Sequence, residues 1–450
     1  MAIQWVALAI FVGVFVVGTL RKINIGVLMF AAASLVGIGL AGMPLDEVVG
    51  GFPVGILVLL VGVTYFFGIA HVNGTIDRIV ESSLAKVGDR TAVLPTVFFV
   101  LSAGLASMGA PLGALVLFPV GMVVADKRGI DPMLMALAMG TGLSAGAFAP
   151  TSLFGIVAYG TAQEAGIALS PLVLFAVALG INIVLFACAY VLFGRRRVLR
   201  ADTEQRARAR SLATVGGGLV DGGSADEPPS PGGSDHSGER AASPSFTPVQ
   251  IMTVLCMIGL VGTVVVLSLV GADPEIGVLG FAFGAVLTLL DPDAGRKAVG
   301  RIDWQTVLLV GGIITFVGVL DHIGAIDMLG ELATDIGSPL LAALFLCFVA
   351  ALVSAFASTT GMLAALVPLT LPLVASGSVP GWALICALAV CASIVDVSPF
   401  STVGATCVAS TVDEAQRPRM TRLLTRWGLS LVVLGPLVLV GVLVLPGIAL

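Results

Sequence analysis

Two hexapeptides carry residues suited to holding a small ion. Pro150-Thr151-Ser152-Leu153-Phe154-Gly155 and Pro399-Phe400-Ser401-Thr402-Val403-Gly404 share the pattern P-x-S-x-x-G inside apolar stretches. Proline lacks an N–H and disfavours helix in the residue before it, so each motif is expected to unwind its helix near the middle. The freed carbonyls, with the hydroxyls of Thr151, Ser152, Ser398, Ser401 and Thr402, are hard oxygen ligands of the kind Na⁺ takes. The half-helices that follow point the positive end of their dipole at an anion. Asp396 lies three residues before Pro399 and is matched by Ala147 in the first half. An intramembrane carboxylate there can act as a cation ligand, as a proton carrier, or as a cap on the unwound segment.

Two further apolar stretches, about 91–125 and 338–376, break at their centres, at Gly109-Ala110-Pro111 and Ser358-Thr359-Thr360-Gly361. No polar loop separates their limbs, and the limb from Leu112 to Ala125 falls short of the ~20 residues that a crossing takes, so both are expected to be re-entrant hairpins. At the second tip Ser358 and Thr359 can share a cation with Ser401, while Thr360 can hydrogen-bond a carboxylate. The first tip offers backbone carbonyls, with Ser107 close by.

The elements that must position these groups lie in a bilayer. Of 450 residues 58% are hydrophobic and 11% charged, against roughly 45–50% and about 25% in a soluble domain. The 56 glycines suit close helix packing where lipid provides no hydrophobic drive between helices. Ten spans are expected, at about 4–20, 24–42, 53–71, 132–165, 170–193, 248–270, 276–291, 304–321, 380–410 and 423–447. Two of them, 132–165 and 380–410, are the broken ones. The first span has no basic region ahead of it and reads as retained rather than as a cleaved signal.

Cytoplasmic loops retain Lys and Arg. Threading ten spans from an external N-terminus puts all 22 Lys and Arg on the cytoplasmic side and the C-terminus outside, with Asp46, Glu47, Glu164, Asp273 and Glu275 in the opposite loops. Residues 194–247 open with an Arg cluster and continue in a Gly/Ser/Pro/Asp run, the composition of a disordered cytoplasmic linker. The segments 75–86 and 325–336 read as interfacial amphipathic helices, and His71, Asp321 and His322 as solvated residues at span ends. Six cysteines in or beside apolar segments, without a CxxC pair, read as small buried hydrophobes. Three scattered histidines leave no sign of a structural metal site, an organic cofactor, or the clustered groups that a membrane enzyme needs. Nothing in the sequence points to nucleic acid.

The chain also repeats itself. Residues 56–81 align without gaps to 306–331, with Gly62/Gly312, Phe66/Phe316, Gly68/Gly318, Gly74/Gly324, Ile76/Ile326, Asp77/Asp327 and Glu81/Glu331 coinciding. At an offset of 249, Pro119 meets Pro368 and the two P-x-S-x-x-G motifs superpose. The third full span corresponds to the eighth, so an odd number of crossings separates equivalents and the halves should be inverted. The expected fold is an all-α polytopic membrane protein of two inverted repeats of five transmembrane helices, 1–193 and 248–450. Each repeat holds one hairpin and one broken helix, an arrangement found in alternating-access transporters.

Taken together, the repeat, hairpins and broken spans resemble the divalent anion/sodium symporter family of the ion transporter superfamily. Ser358-Thr359-Thr360, with Pro368 ten residues after the serine, resembles that family's Ser-Asn-Thr hairpin motif, with Thr359 in place of Asn. The first tip has Gly-Ala-Pro instead. The amino-terminal stretches IQWVALAIFVGVFVVGTLRKINIGVLMFAAASLVGIGLAGM and GFPVGILVLLVGVTYFFGIAHVNGTIDRIVE resemble MatC-type dicarboxylate (malonate) carriers.

The resemblance implies an elevator-type homodimer in a prokaryotic inner membrane, taking up a small di- or tricarboxylate with Na⁺, or alternatively a proton. Cation sites would pair Ser107, Gly109 and Ala110 with Thr151 and Ser152, and Ser358 and Thr359 with Ser398 and Ser401, with Asp396 beside the latter. Substrate contacts would come from Thr359, Thr360, Ser152 and Thr402 and from the tip at Ala110 and Pro111. No Lys or Arg lies in either broken span or hairpin. A bound anion would therefore depend on dipoles, hydroxyls and a co-bound cation, or else the substrate is neutral. An exporter or antiporter of the same superfamily, for arsenite or another small solute, is the alternative. A passive channel fits two hairpins in inverted halves less well than a moving barrier does.

Overall fold

The computed structural model describes residues 2–21, 23–85, 91–109, 111–194, 246–270, 275–326, 328, 338–355 and 359–446. The linker and most of 325–336 therefore lie outside the described residues. Among the described residues every regular element is helical. The first half contains α1 (Ala2–Arg21), α2 (Ile25–Ser34, running on as a π-helical turn over Leu35–Leu40), α3 (Leu45–Gly50), α4 (Val54–Val72) and α5 (Thr75–Ala85). It continues with α6 (Leu94–Ala106), a 3₁₀ turn (Pro111–Val116), α7 (Leu117–Lys127), α8 (Pro132–Ala147), α9 (Leu153–Glu164) and α10 (Pro171–Gly194). The second half contains α11 (Pro248–Leu269), α12 (Ile276–Leu290), α13 (Pro292–Ala298), α14 (Trp304–His322), α15 (Pro339–Ser354) and α16 (Thr359–Leu369). It ends with α17 (Leu371–Ala375), α18 (Gly381–Ile394), α19 (Thr402–Ala409) and α20 (Arg417–Leu439).

Five helices are long and apolar enough to cross a membrane unbroken: α4, α10, α11, α14 and the run containing α20. The other expected spans are shorter apolar helices: α1 and α12 are continuous but short, and the remaining three change form along their length. The π turn divides the 24–42 span, and the breaks at 148–152 and 395–401 divide the two Pro-containing ones. The last expected span differs in its start. α20 begins at Arg417, and its first turns carry Arg419, Arg422 and Arg426 before the apolar run. Arg419 pairs with Asp131 at 3.3 Å. His322 at the end of α14 lies 2.9 Å from the Glu47 carboxylate, both side chains roughly half exposed.

Packing recurs at the repeat spacing. α4 lies against α12 and α14 against α2, each pair joining one half to the other. Both crossings are so close that a methyl group would not fit. A Cβ on Gly62 would lie 2.2 Å from the Gly277 carbonyl oxygen, and one on Gly312 would lie 2.1 Å from that of Gly26. Small residues are what allow backbones to touch in this way. The helix ends repeat the theme. The Gln4 amide donates to the Ile323 carbonyl at 2.9 Å, while the Gln250 amide donates at 3.2 Å to the carbonyl of Asn73, which precedes Ile323 by 250 positions. The following glycines, Gly74 and Gly324, have φ of 72° and 69°, a left-handed conformation that glycine adopts without steric cost.

Within each half an earlier helix packs on the broken one, α6 on α8 and α15 on α18, and a long span backs it, α10 behind α8 and α20 behind α18. The broken helices form the interior. Every residue of α8 from Met133 to Ala147 and of α18 from Ala383 to Ile394 is buried.

Candidate functional site: broken helices and hairpin tips

Each break is built by its hexapeptide. α8 ends at Ala147 and α9 starts at Leu153 behind Ser152, whose backbone is extended. α18 ends at Ile394 and α19 starts at Thr402 behind Ser401, whose hydroxyl accepts from the Gly404 N–H at 3.3 Å. The final glycine of the motif has a clear steric purpose. A Cβ on Gly155 would lie 2.3 Å from the Ala149 carbonyl oxygen, and one on Gly404 would lie 1.9 Å from that of Ser398, the position equivalent to Ala149. Only glycine lets the first turn of the second half-helix close over the carbonyls of the unwound segment.

The tips dock onto the breaks through hydroxyl-to-carbonyl hydrogen bonds. In the first half Thr151 Oγ1 donates to the Ser107 carbonyl at 2.8 Å and Ser152 Oγ to the Ala106 carbonyl at 2.5 Å. In the second, Ser398 Oγ donates to the Ala355 carbonyl at 2.9 Å, and Ala355 is the repeat partner of Ala106. Ser401 Oγ donates to the Ser398 carbonyl at 2.9 Å and also to the Asp396 carbonyl, which receives the Gly404 N–H at 3.3 Å. Of the unwound carbonyls, those of Asp396 and Ser398 are thereby partnered within the protein, as backbone at membrane depth requires.

The halves differ at one cluster. Thr359 Oγ1 donates to Asp396 Oδ2 at 2.6 Å, and Ser354 Oγ lies 2.9 Å from Thr359 Oγ1. The first-half counterparts of Ser354, Thr359 and Asp396 are Leu105, Ala110 and Ala147, all apolar. The second half thus presents a hydroxyl–hydroxyl–carboxylate chain with no first-half equivalent. Between the halves, Ser144 Oγ and Ser393 Oγ meet at 2.5 Å, and these serines are themselves 249 residues apart. A residue that touches its own repeat partner sits where the two halves face each other.

The expected site residues divide as follows. Thr151, Ser152, Ser398, Ser401, Thr359 and Asp396 gather at the breaks, the first four and Thr359 buried and Asp396 partly so. Gly109 has φ 85°, and a Cβ there would lie 2.7 Å from the Phe67 ring of α4, so the first tip abuts that helix. Ser107 spends its hydroxyl on the Gly104 carbonyl at 2.6 Å and its own carbonyl on Thr151. Pro111 is buried at the start of the 3₁₀ turn. Thr360 is buried in the first turn of α16, and no partner to its hydroxyl occurs among the described residues. Thr402 departs from expectation. It is exposed, because the residue that turns inward at the start of α19 is its neighbour Ser401. Ala110 and Ser358 lie outside the described residues. Ser354 and the Ser144–Ser393 contact escaped the sequence reading, although a serine at both positions of the repeat offset was a usable signal for the second.

The long apolar helices and the polar breaks enclosed among them define an integral membrane protein. Residues 1–147, from α1 through α8, match the family model described as dicarboxylate carrier protein MatC N-terminus. The match covers the first tip and ends just before the first break. Among curated proteins, none matches the chain.

Proposed function

We propose that the chain is a secondary active transporter that carries a small di- or tricarboxylate into a prokaryotic cell, coupled to Na⁺ or, alternatively, to protons. The observation that carries this reading is the match of residues 1–147 to a dicarboxylate carrier family, in a chain whose tips and breaks converge among buried helices. The Ser144–Ser393 contact at an offset of 249, and the like use of the Asn73 and Ile323 carbonyls at an offset of 250, support two inverted repeats of five spans, with the helix–break–helix segments as re-entrant hairpins. Hairpins and broken helices would move together as the transport unit of an elevator, against a scaffold containing α4 and α14, in a homodimer.

The chemistry of the breaks favours coupling to a cation. Hydroxyls, carbonyls and half-helix N-termini at Leu153, Thr359 and Thr402 attract an anion weakly, and no Lys or Arg in the broken spans or hairpins supplies the missing positive charge. A cation bound beside Asp396, Thr359 and Ser401 would provide it. The deciding measurement is uptake of labelled malonate, succinate and citrate into proteoliposomes under an inward Na⁺ gradient, an inward proton gradient, or neither. Accumulation driven by one gradient is the expected result. Failure of all three under every gradient overturns the carboxylate reading, and arsenite extrusion in the same vesicles would replace it with the exporter.

A further inference from the structure

Beside the first tip, on its α4 side, a cleft of about 450 Å³ opens between α4, α5 and that tip. This is the size of a small-molecule site. Its walls are apolar, with Phe67, Val80, Leu105, Met108 and Leu117 among them. Its charged groups are His71, Asp77, Glu81, Arg301 and Asp303. Two of these are already engaged. Glu81 pairs with Arg78 at 3.3 Å, and Asp303 caps α14, accepting from the Thr306 N–H at 3.0 Å and the Thr306 hydroxyl at 2.8 Å. Arg301, at the end of the 3₁₀ turn Val299–Arg301, has no ion pair among the described residues, and neither does Asp77.

We propose that this cleft binds an amphipathic monocarboxylate, with its carboxylate on Arg301 and its hydrocarbon body between Phe67 and Met108. A guanidinium without a partner is a fork for one carboxylate, and the apolar walls take a body that a short dicarboxylate lacks. Asp77 lies in the same cleft and would repel a second carboxylate, so the site should discriminate against dianions. An occupant lies beside the contact of Gly109 with Phe67 and would hold the first tip in place against α4.

The test needs no knowledge of the transported substrate. In Cys188→Ser protein in phosphatidylcholine nanodiscs, a Met108→Cys reporter is labelled with a maleimide dye. Protection follows 1 + [L]/Kd, so decanoate at about ten times its Kd slows labelling roughly tenfold. Decanol and succinate are expected to give little protection. A reporter at Asp293→Cys, outside the cleft, is expected to be unaffected by decanoate. Arg301→Gln is expected to abolish protection by decanoate, and because Arg301 is exposed the variant should keep its size-exclusion profile. Decanedioate, a dianion with the same hydrocarbon body, is expected to protect Asp77→Asn protein, the second variant, and native protein little. The proposal is overturned if decanoate does not protect, if decanol or Arg301→Gln protein shows the same protection, or if succinate or decanedioate protects native Asp77 protein as well as decanoate does.

Discussion

Asp396 is the residue on which the second half's chemistry turns. Its side chain accepts from Thr359 while its backbone carbonyl accepts from Ser401 and Gly404, so one residue joins the second tip to the second break. Asp396→Asn removes the charge but keeps a carbonyl oxygen for Thr359. If the carboxylate holds the coupling ion, uptake by this variant falls by roughly tenfold or more, with the thermal midpoint little changed, since the amide oxygen still accepts from Thr359 while the charge that would bind the ion is gone. Uptake with unaltered ion dependence would reduce Asp396 to a structural cap. The sequence marked this acid through its position before Pro399 and its missing counterpart at Ala147. It did not mark Ser354, because which face of α15 meets α16 depends on how those limbs fold back. Nor could it rank Ser401 over Thr402. The two are neighbours with the same hydroxyl chemistry, and the register of α19 buries one and exposes the other.

At the scale of elements, glycine decides how closely helices meet. Gly62 and Gly312 were legible as a coincident pair in the repeat, yet their partners Gly277 and Gly26 come from other helices. Alanine at Gly62 or Gly312 forces a methyl group into a backbone carbonyl, and overpacking of this kind costs about 1–3 kcal/mol. Each variant should therefore lower the thermal midpoint in detergent, whereas Gly13→Ala, with open space around the added carbon, should not. Equal stability of all three variants would mean that α2, α4, α12 and α14 pack more loosely than described. The breaks were located from proline alone, by its missing N–H. Their shape also requires Gly155 and Gly404, whose role shows only once the carbonyls they cover are in place.

For the whole molecule, orientation is the testable consequence. The orientation expected from the distribution of Lys and Arg would put the loop holding Asp46 outside and the turn holding Asp413 in the cytoplasm, and both residues are exposed. In a Cys188→Ser background, Asp46→Cys should react with an impermeant maleimide on intact spheroplasts. Asp413→Cys should react only after permeabilisation. The reverse pattern would invert the proposed topology.

The sequence by itself determined the membrane environment, the positions of the breaks and the repeat at offsets of 249 and 250. These depend on hydropathy, on proline's covalent structure and on identities along one chain, all local properties. Only the tertiary structure decided that Ser144 faces Ser393, that Ser354 joins Thr359 and Asp396, and that Arg301, without an ion pair among the described residues, lines a cleft with Phe67 and Met108. Such meetings join residues from distant parts of the chain, and they are set by crossing angles and close approaches that no local pattern encodes.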